Sequence, residues 1–137
     1  MTKSFFLTVL FISPACWLVF SQSDNLAQTI ARGKDVYIGN CMSCHMEKGE
    51  GIEALYPPLA KADYMLKDQK RSIRIILQGQ TGEITVNGKK YNVDMPAQNN
   101  LTDEQIADVL NYIYNSWGNK GKVITPDNVK AERKPKQ

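Results

Sequence analysis

Cys41, Cys44 and His45 fall within five residues of one another in the run NCMSCHMEKGEG, Asn40 to Gly51, and His45 is the only histidine in 137 residues. Two of the chain's three cysteines are spent there. Several chemistries use such a cluster. C-x-x-C-H is the attachment signal for c-type haem: both sulfurs become thioethers on the porphyrin's vinyl groups, and the next residue offers an axial imidazole. A structural zinc site wants four ligands, and after these three only carboxylates remain to complete it. A thioredoxin-like dithiol needs its C-x-x-C at a helix start that follows a strand. IARGKDVYIGN before Cys41 reads instead as a helix running into a loop. Chance would have to place three rare residue types in register. One covalent haem, with its iron, is the reading that uses all three residues as they stand.

A haem iron held by His45 has a sixth position to fill. No histidine remains, and Met42 and Met46 flank the attachment site too closely to reach the far face. Met65 and Met95 are left. Met95 lies in NVDMPAQNN, where Pro96 drives it out of helical conformation. A thioether on a stiff loop, fifty residues past His45, suits an axial ligand. Met65, in ADYMLKDQ, reads as a gap-filling core methionine. A five-coordinate haem is the alternative. The metal-bound imidazole also needs an acceptor for its second N–H. YPPLA, Tyr56 to Ala60, provides proline carbonyls in a rigid loop and Leu59 to pack on the porphyrin; it could equally be a plain turn.

The elements that must position these residues are helical. Asp24 to Ile38 has no breaker but Gly33, and a glycine costing about 1 kcal/mol against alanine inside a helix signals close approach of another backbone. Asp68 can cap a helix through QKRSIRIILQ, ended by Gly79. EITVNGKKYNV reads as a hairpin about Asn87-Gly88, a type I′ signal. LTDEQIADVLNYIYNSWG is the clearest helix, with Thr102 and Gln105 as a capping box and Leu101 and Ile106 as a hydrophobic staple. Ile106, Val109, Leu110 and Ile113 form its apolar stripe, and Gly118 is expected to end it. Two helices crossing at Gly33 would close the domain from its two ends.

The chain opens MTKSFFLTVLFISPACWLVFSQS: one lysine, an apolar run from Phe5 to Phe20, then small and polar residues. That is a secretory signal in outline, cleaved after Ser21, with Val19 and Ser21 at the −3 and −1 positions. The domain division expected is therefore a signal at 1–21, a haem domain at 22–130 and a basic flexible tail at 131–137. Such a signal would place the mature protein in the periplasm. An uncleaved anchor is the alternative, although the apolar run falls short of the ~20 residues that span a bilayer. Cys16 follows SPA, a poor lipidation box. The formal net charge is +3, and two haem propionates would remove about two charges, so no basic face argues for nucleic acid. A monomer is expected.

CMSCH, then YPPLA, then MP ahead of a capped C-terminal helix resembles a class I cytochrome c over about Ala31 to Arg133. The resemblance implies an all-α fold wrapped round one haem, here with a short β-hairpin before the methionine loop. It implies thioether bonds at Cys41 and Cys44, His45 and Met95 as iron ligands, and the Pro57 carbonyl holding the histidine, with Pro58 possible. Gly33 and Tyr37 would match the N-terminal helix contact, against Val109 and Tyr112. YPPLAKADYM, ITVNGKKYNVDMP and YNSWGNKGKVITPDNVK are also similar to the cytochrome domain fused to some copper nitrite reductases, and related modules occur in oxidase and dehydrogenase subunits. No cupredoxin portion accompanies them here.

Two function classes follow. A His/Met-ligated iron is saturated and passes one electron to redox proteins such as a terminal reductase, nitrite reductase among them, or an oxidase; no substrate is turned over. A haem subunit of a larger dehydrogenase or oxidase complex would work the same way. A five-coordinate gas-binding protein would need an open distal site with a polar donor, and the lone histidine is already spent. Docking of partners would use an apolar patch of Met42, Met46, Pro96 and Ala97, with Lys48, Lys61 and Lys89 at its rim.

Overall fold

The computed structural model describes residues 17–133, with side chains from Asn25 onward. The expected signal lies outside these residues up to residue 16, Cys16 included. Helices α1 (Trp17–Asn40), α2 (Met42–His45), α3 (Asp63–Leu66) and α4 (Gln69–Gln78) precede an antiparallel hairpin of β1 (Ile84–Val86) and β2 (Lys89–Tyr91). Helices α5 (Asp103–Tyr114) and α6 (Pro126–Arg133) complete the order.

Local signals set most of these boundaries. The Asp68 carboxylate accepts from Arg71 N–H at the start of α4, and Gly79, at φ 80°, terminates it. Asn87 and Gly88 take φ 49° and 78°, the two left-handed positions a type I′ turn requires, and Ile84 pairs with Tyr91. Thr102 and Gln105 form both halves of the capping box on α5. Leu101 and Ile106 are both buried, as a hydrophobic staple demands.

Three boundaries differ from the sequence reading. The first helix does not loosen into a loop before the cysteines: α1 continues to Asn40, and Cys41 N–H still donates to Tyr37 O at 2.9 Å. α5 ends at Tyr114 rather than at Gly118, because side chains take over its last carbonyls. Asn115 caps Asn111 O, Ser116 caps Tyr112 O and Asn119 caps Ile113 O. Residues 131–133 belong to α6 instead of a flexible tail, since Glu132 and Arg133 each find a partner of opposite charge on another helix.

α5 is the axis of the core. Beyond its predicted stripe it also buries Ala107, Asp108, Asn111 and Tyr114, because α1, α4 and α6 all pack on it. The two polar members are satisfied. Arg32 grips Asp108 through two nitrogens at 2.6 and 3.0 Å, and Asn111 exchanges two hydrogen bonds with the Ile124 backbone. At Gly33 a Cβ would stand 2.0 Å from the Asp108 carbonyl oxygen, so α1 and α5 touch backbone to backbone. Tyr37, Tyr112 and Trp117 close that crossing with ring centroids 5.2–5.4 Å apart.

Candidate functional site

The tight crossing of α1 and α5 leaves α2 and the loop after it to face the rest of the chain across a cavity. Its empty volume, part of it open to solvent, is about 1050 Å³. Cys41, Cys44 and His45 contribute one portion of its wall, Pro57 and Leu59 another, and Met65 and Met95 a third. Ile76, Val86, Tyr91, Leu110 and Ile113 make most of the remainder apolar. The hairpin, which carries no reactive group, supplies Ile84, Val86 and Tyr91 to that lining.

α2 is a single turn that, with Cys41 at its N-cap, sets the two cysteines and the histidine toward this space. Both thiols are free. Burial, reinforced by neighbouring Cys44, pushes the Cys41 thiol up to about 11, so it is held as a neutral thiol rather than as the thiolate that metal ligation or dithiol exchange uses. The chain then turns back: Gly51 N–H donates to His45 O at 3.0 Å, and Ile52 and Tyr56 bond each other's backbone. That fold returns Pro57 to the histidine. His45 Nδ1–H donates to the Pro57 carbonyl at 2.9 Å. A carbonyl can only accept, so the proton sits on Nδ1 and the lone pair on Nε2. Burial also lowers the imidazole's pKa, against the opposing effect of the Pro57 bond. The ring is therefore neutral, oriented and ready to bind a metal.

Met95 stands beside Gln80, with which it exchanges two backbone hydrogen bonds of 2.9 and 3.0 Å. Its side chain is partly exposed, whereas Met65 is 7% exposed. Tyr114 Oη–H donates to Met65 O at 3.0 Å, tying that residue's backbone into the core. The structure thus brings all six predicted site residues to one cavity and adds Met65 to the same wall.

The residues present suit a covalent haem. Two free thiols and a neutral imidazole meet an apolar cavity with a thioether in its wall. Beside it, Arg71 lies 3.8 Å over the ring of Tyr64, a lining residue. Arg71 Nε is the one buried side-chain nitrogen or oxygen without a partner among the described residues. Such a nitrogen lacks an acceptor, and Arg71 stands behind Tyr64 rather than in the cavity wall. Sequence reasoning missed Arg71 because an arginine on an amphipathic helix carries no signal of its own.

Fold and pocket together define a c-type haem protein. The family model for cytochrome c matches residues 30–117, and the chain belongs to that family. Its fold is accordingly the class I cytochrome c fold, and its cofactor is covalently bound haem c with its iron. Cytochrome c-552 of Thermus thermophilus is 36% identical over 139 residues, spanning 85% of this chain and 93% of its own length. The gluconate 2-dehydrogenase cytochrome c subunit of Pantoea cypripedii is 36% identical over 126 residues, 85% of this chain and 28% of that subunit. The alcohol dehydrogenase (quinone) cytochrome c subunit of Gluconobacter oxydans is 34% identical over 88 residues, 64% of this chain and 18% of that subunit. These relatives support an electron carrier or haem subunit; none of the three is a copper nitrite reductase, and that narrower likeness goes no further.

Proposed function

We propose that this chain is a periplasmic one-electron carrier whose haem is bonded to Cys41 and Cys44 and whose iron is ligated by His45 Nε2 and the Met95 thioether. The observation that carries this reading is the 2.9 Å bond from His45 Nδ1 to Pro57 O, which leaves Nε2 as the ring's donor in a cavity that Met95 also lines. Leu59 supplies apolar contact there. A soft thioether with a neutral imidazole favours a high reduction potential, which fits donation to a terminal reductase or oxidase. With both axial positions filled, no substrate binds the iron, and the protein acts as a carrier rather than an enzyme.

The proposed location rests on the sequence of residues 1–21. Among the described residues no helix is long and apolar enough to cross a membrane. Cleavage after Ser21 would shorten α1 at its start and leave Gly33 and Tyr37, which are buried in that helix, in place.

An absorbance spectrum of the oxidised holoprotein tests the ligation: a weak band at the red edge marks methionine on iron, and a high-spin spectrum would put a five-coordinate haem in its place. Acid-acetone extraction tests the attachment, and release of all the haem would refute it. The similarity to a gluconate 2-dehydrogenase subunit favours one second reading, a haem subunit of a larger complex. The native mass of the protein isolated from its source separates the two, since a free carrier elutes as a monomer.

A further inference from the structure

We propose that α6 is a clamp on the Met95 loop, with Arg133 the residue that positions the distal thioether. The proposal rests on the reading that Met95 ligates the iron. The loop's first half is held by α4 and the residues just after it. Met95 and Gln80 share two backbone hydrogen bonds, and Gln98 N–H donates to Ile76 O at 2.7 Å. Its exit toward α5 is held from outside. Arg133 Nη1 donates to Asn99 O at 3.2 Å and Nη2 to Leu101 O at 2.8 Å, while Nε donates to Asp103 at 2.7 Å. One planar guanidinium thus ties the loop's last carbonyls to the first turn of α5.

The preceding residue reaches the other support. The Glu132 carboxylate, 10% exposed, accepts from Arg74 Nη1 of α4 at 2.8 Å. Consecutive residues of α6 therefore hold both bodies between which the Met95 loop is strung. The helix itself is well seated: Val129 is fully buried, and the Asn111–Ile124 pair fastens the segment leading into it. α6 lies beyond residue 117, where the family match ends, so the clamp is outside the segment that defines the family. An exogenous ligand reaches the iron only when the loop carrying the thioether swings away. On this proposal the opening extends past the Gln98–Ile76 bond to the loop's exit and strains the hydrogen bonds of Arg133.

The test measures cyanide binding to the oxidised holoprotein together with the red-edge methionine band. Arg133→Ala should keep the band yet bind cyanide about tenfold faster, the equivalent of roughly one lost charge-assisted hydrogen bond. Arg133→Lys, which can meet Asp103 but not fork onto two carbonyls, should fall between. Arg32→Ala removes the two-pronged ion pair to Asp108 at the α1–α5 crossing, which makes no hydrogen bond to the loop; it should lower the unfolding midpoint and leave the cyanide rate unchanged. Met95→Ala should lose the band and bind cyanide fastest. Retention of the band in Met95→Ala would overturn the ligation and the clamp together. Loss of the band there, with a wild-type cyanide rate in Arg133→Ala or an equal acceleration in Arg32→Ala, would overturn the clamp alone.

Discussion

Gly33→Ala should destabilise the protein although alanine is the better helix former. Intrinsic propensity favours the substitution by about 1 kcal/mol, so any loss must come from packing. The added Cβ would stand 2.0 Å from Asp108 O, 2.5 Å from Asp108 C and 2.9 Å from Tyr112 Cβ, where ordinary contact begins at 3.4 Å. The first two atoms are backbone of a helix buried on nearly every side and cannot turn aside. Relief requires α1 and α5 to separate by roughly an ångström or more, which stretches the 2.6 Å Arg32–Asp108 bond and opens the Tyr37–Tyr112 contact. Overpacking of this kind costs about 1–3 kcal/mol, and weakening a charge-assisted hydrogen bond to a carboxylate that is 8% exposed adds about 1.5–3 kcal/mol. After the helical gain is subtracted, the net loss is about 1.5–5 kcal/mol. Guanidinium unfolding of the holoprotein, followed by far-ultraviolet circular dichroism, should show it, with a melting temperature lower by about 3–6 °C per kcal/mol. An unchanged midpoint, or a gain near the propensity value, would show that the two helices are not held at this distance.

Met95→Ala should lower the reduction potential and admit carbon monoxide to the reduced iron, read by voltammetry and by the shift of the haem band. Met65→Ala should keep the native ligation and lose ~2–5 kcal/mol of stability; reversed results would exchange the roles of the two sulfurs. Stability should fall as pH drops below about 6.5. The folded state lowers the His45 pKa, so the unfolded chain binds the extra proton first, and the loss runs from the ordinary histidine value down to the lowered one. Iron ligation acts in the same direction. Because His45 is the only histidine, unfolding midpoints that stay flat from pH 7 to pH 5 would contradict this. Asn111→Ala should cost about 2–5 kcal/mol by leaving both backbone groups of buried Ile124 unpaired, and urea titration would reveal a value near zero if water replaces the amide. In a purified electron-transfer assay, Ala97→Asp should slow transfer more than added salt does. A purely salt-dependent rate would move docking to the lysines, among which Lys89 is already paired with Glu53.

What the sequence by itself determined is the chemistry and the local geometry. C-x-x-C-H is contiguous, so Cys41, Cys44 and His45 act together whatever the rest of the chain does. The capping box at Thr102, the Asp68 cap and the Asn87-Gly88 turn are likewise complete within a few residues, and each formed where it was read. Gly33 by itself announced a close approach; the family resemblance named the last helix as its partner, and the fold added the Asp108 carbonyl to that contact. Tertiary structure alone decided the contacts that join distant segments. Which proline carbonyl meets His45 depends on how the loop from Met46 to Tyr56 folds back. The burial of Asp108 and Asn111 depends on Arg32 and Ile124 arriving from other parts of the chain. The end of α5 depends on three polar side chains displacing Gly118 as its stop. Residues 131–133, read as tail because they are charged, became helix because Arg74 and Asp103 lie where Glu132 and Arg133 can reach them. Charge and periodicity describe a residue's surroundings only along the chain. An ion pair between helices is set by the fold that brings its two halves within 3 Å of each other.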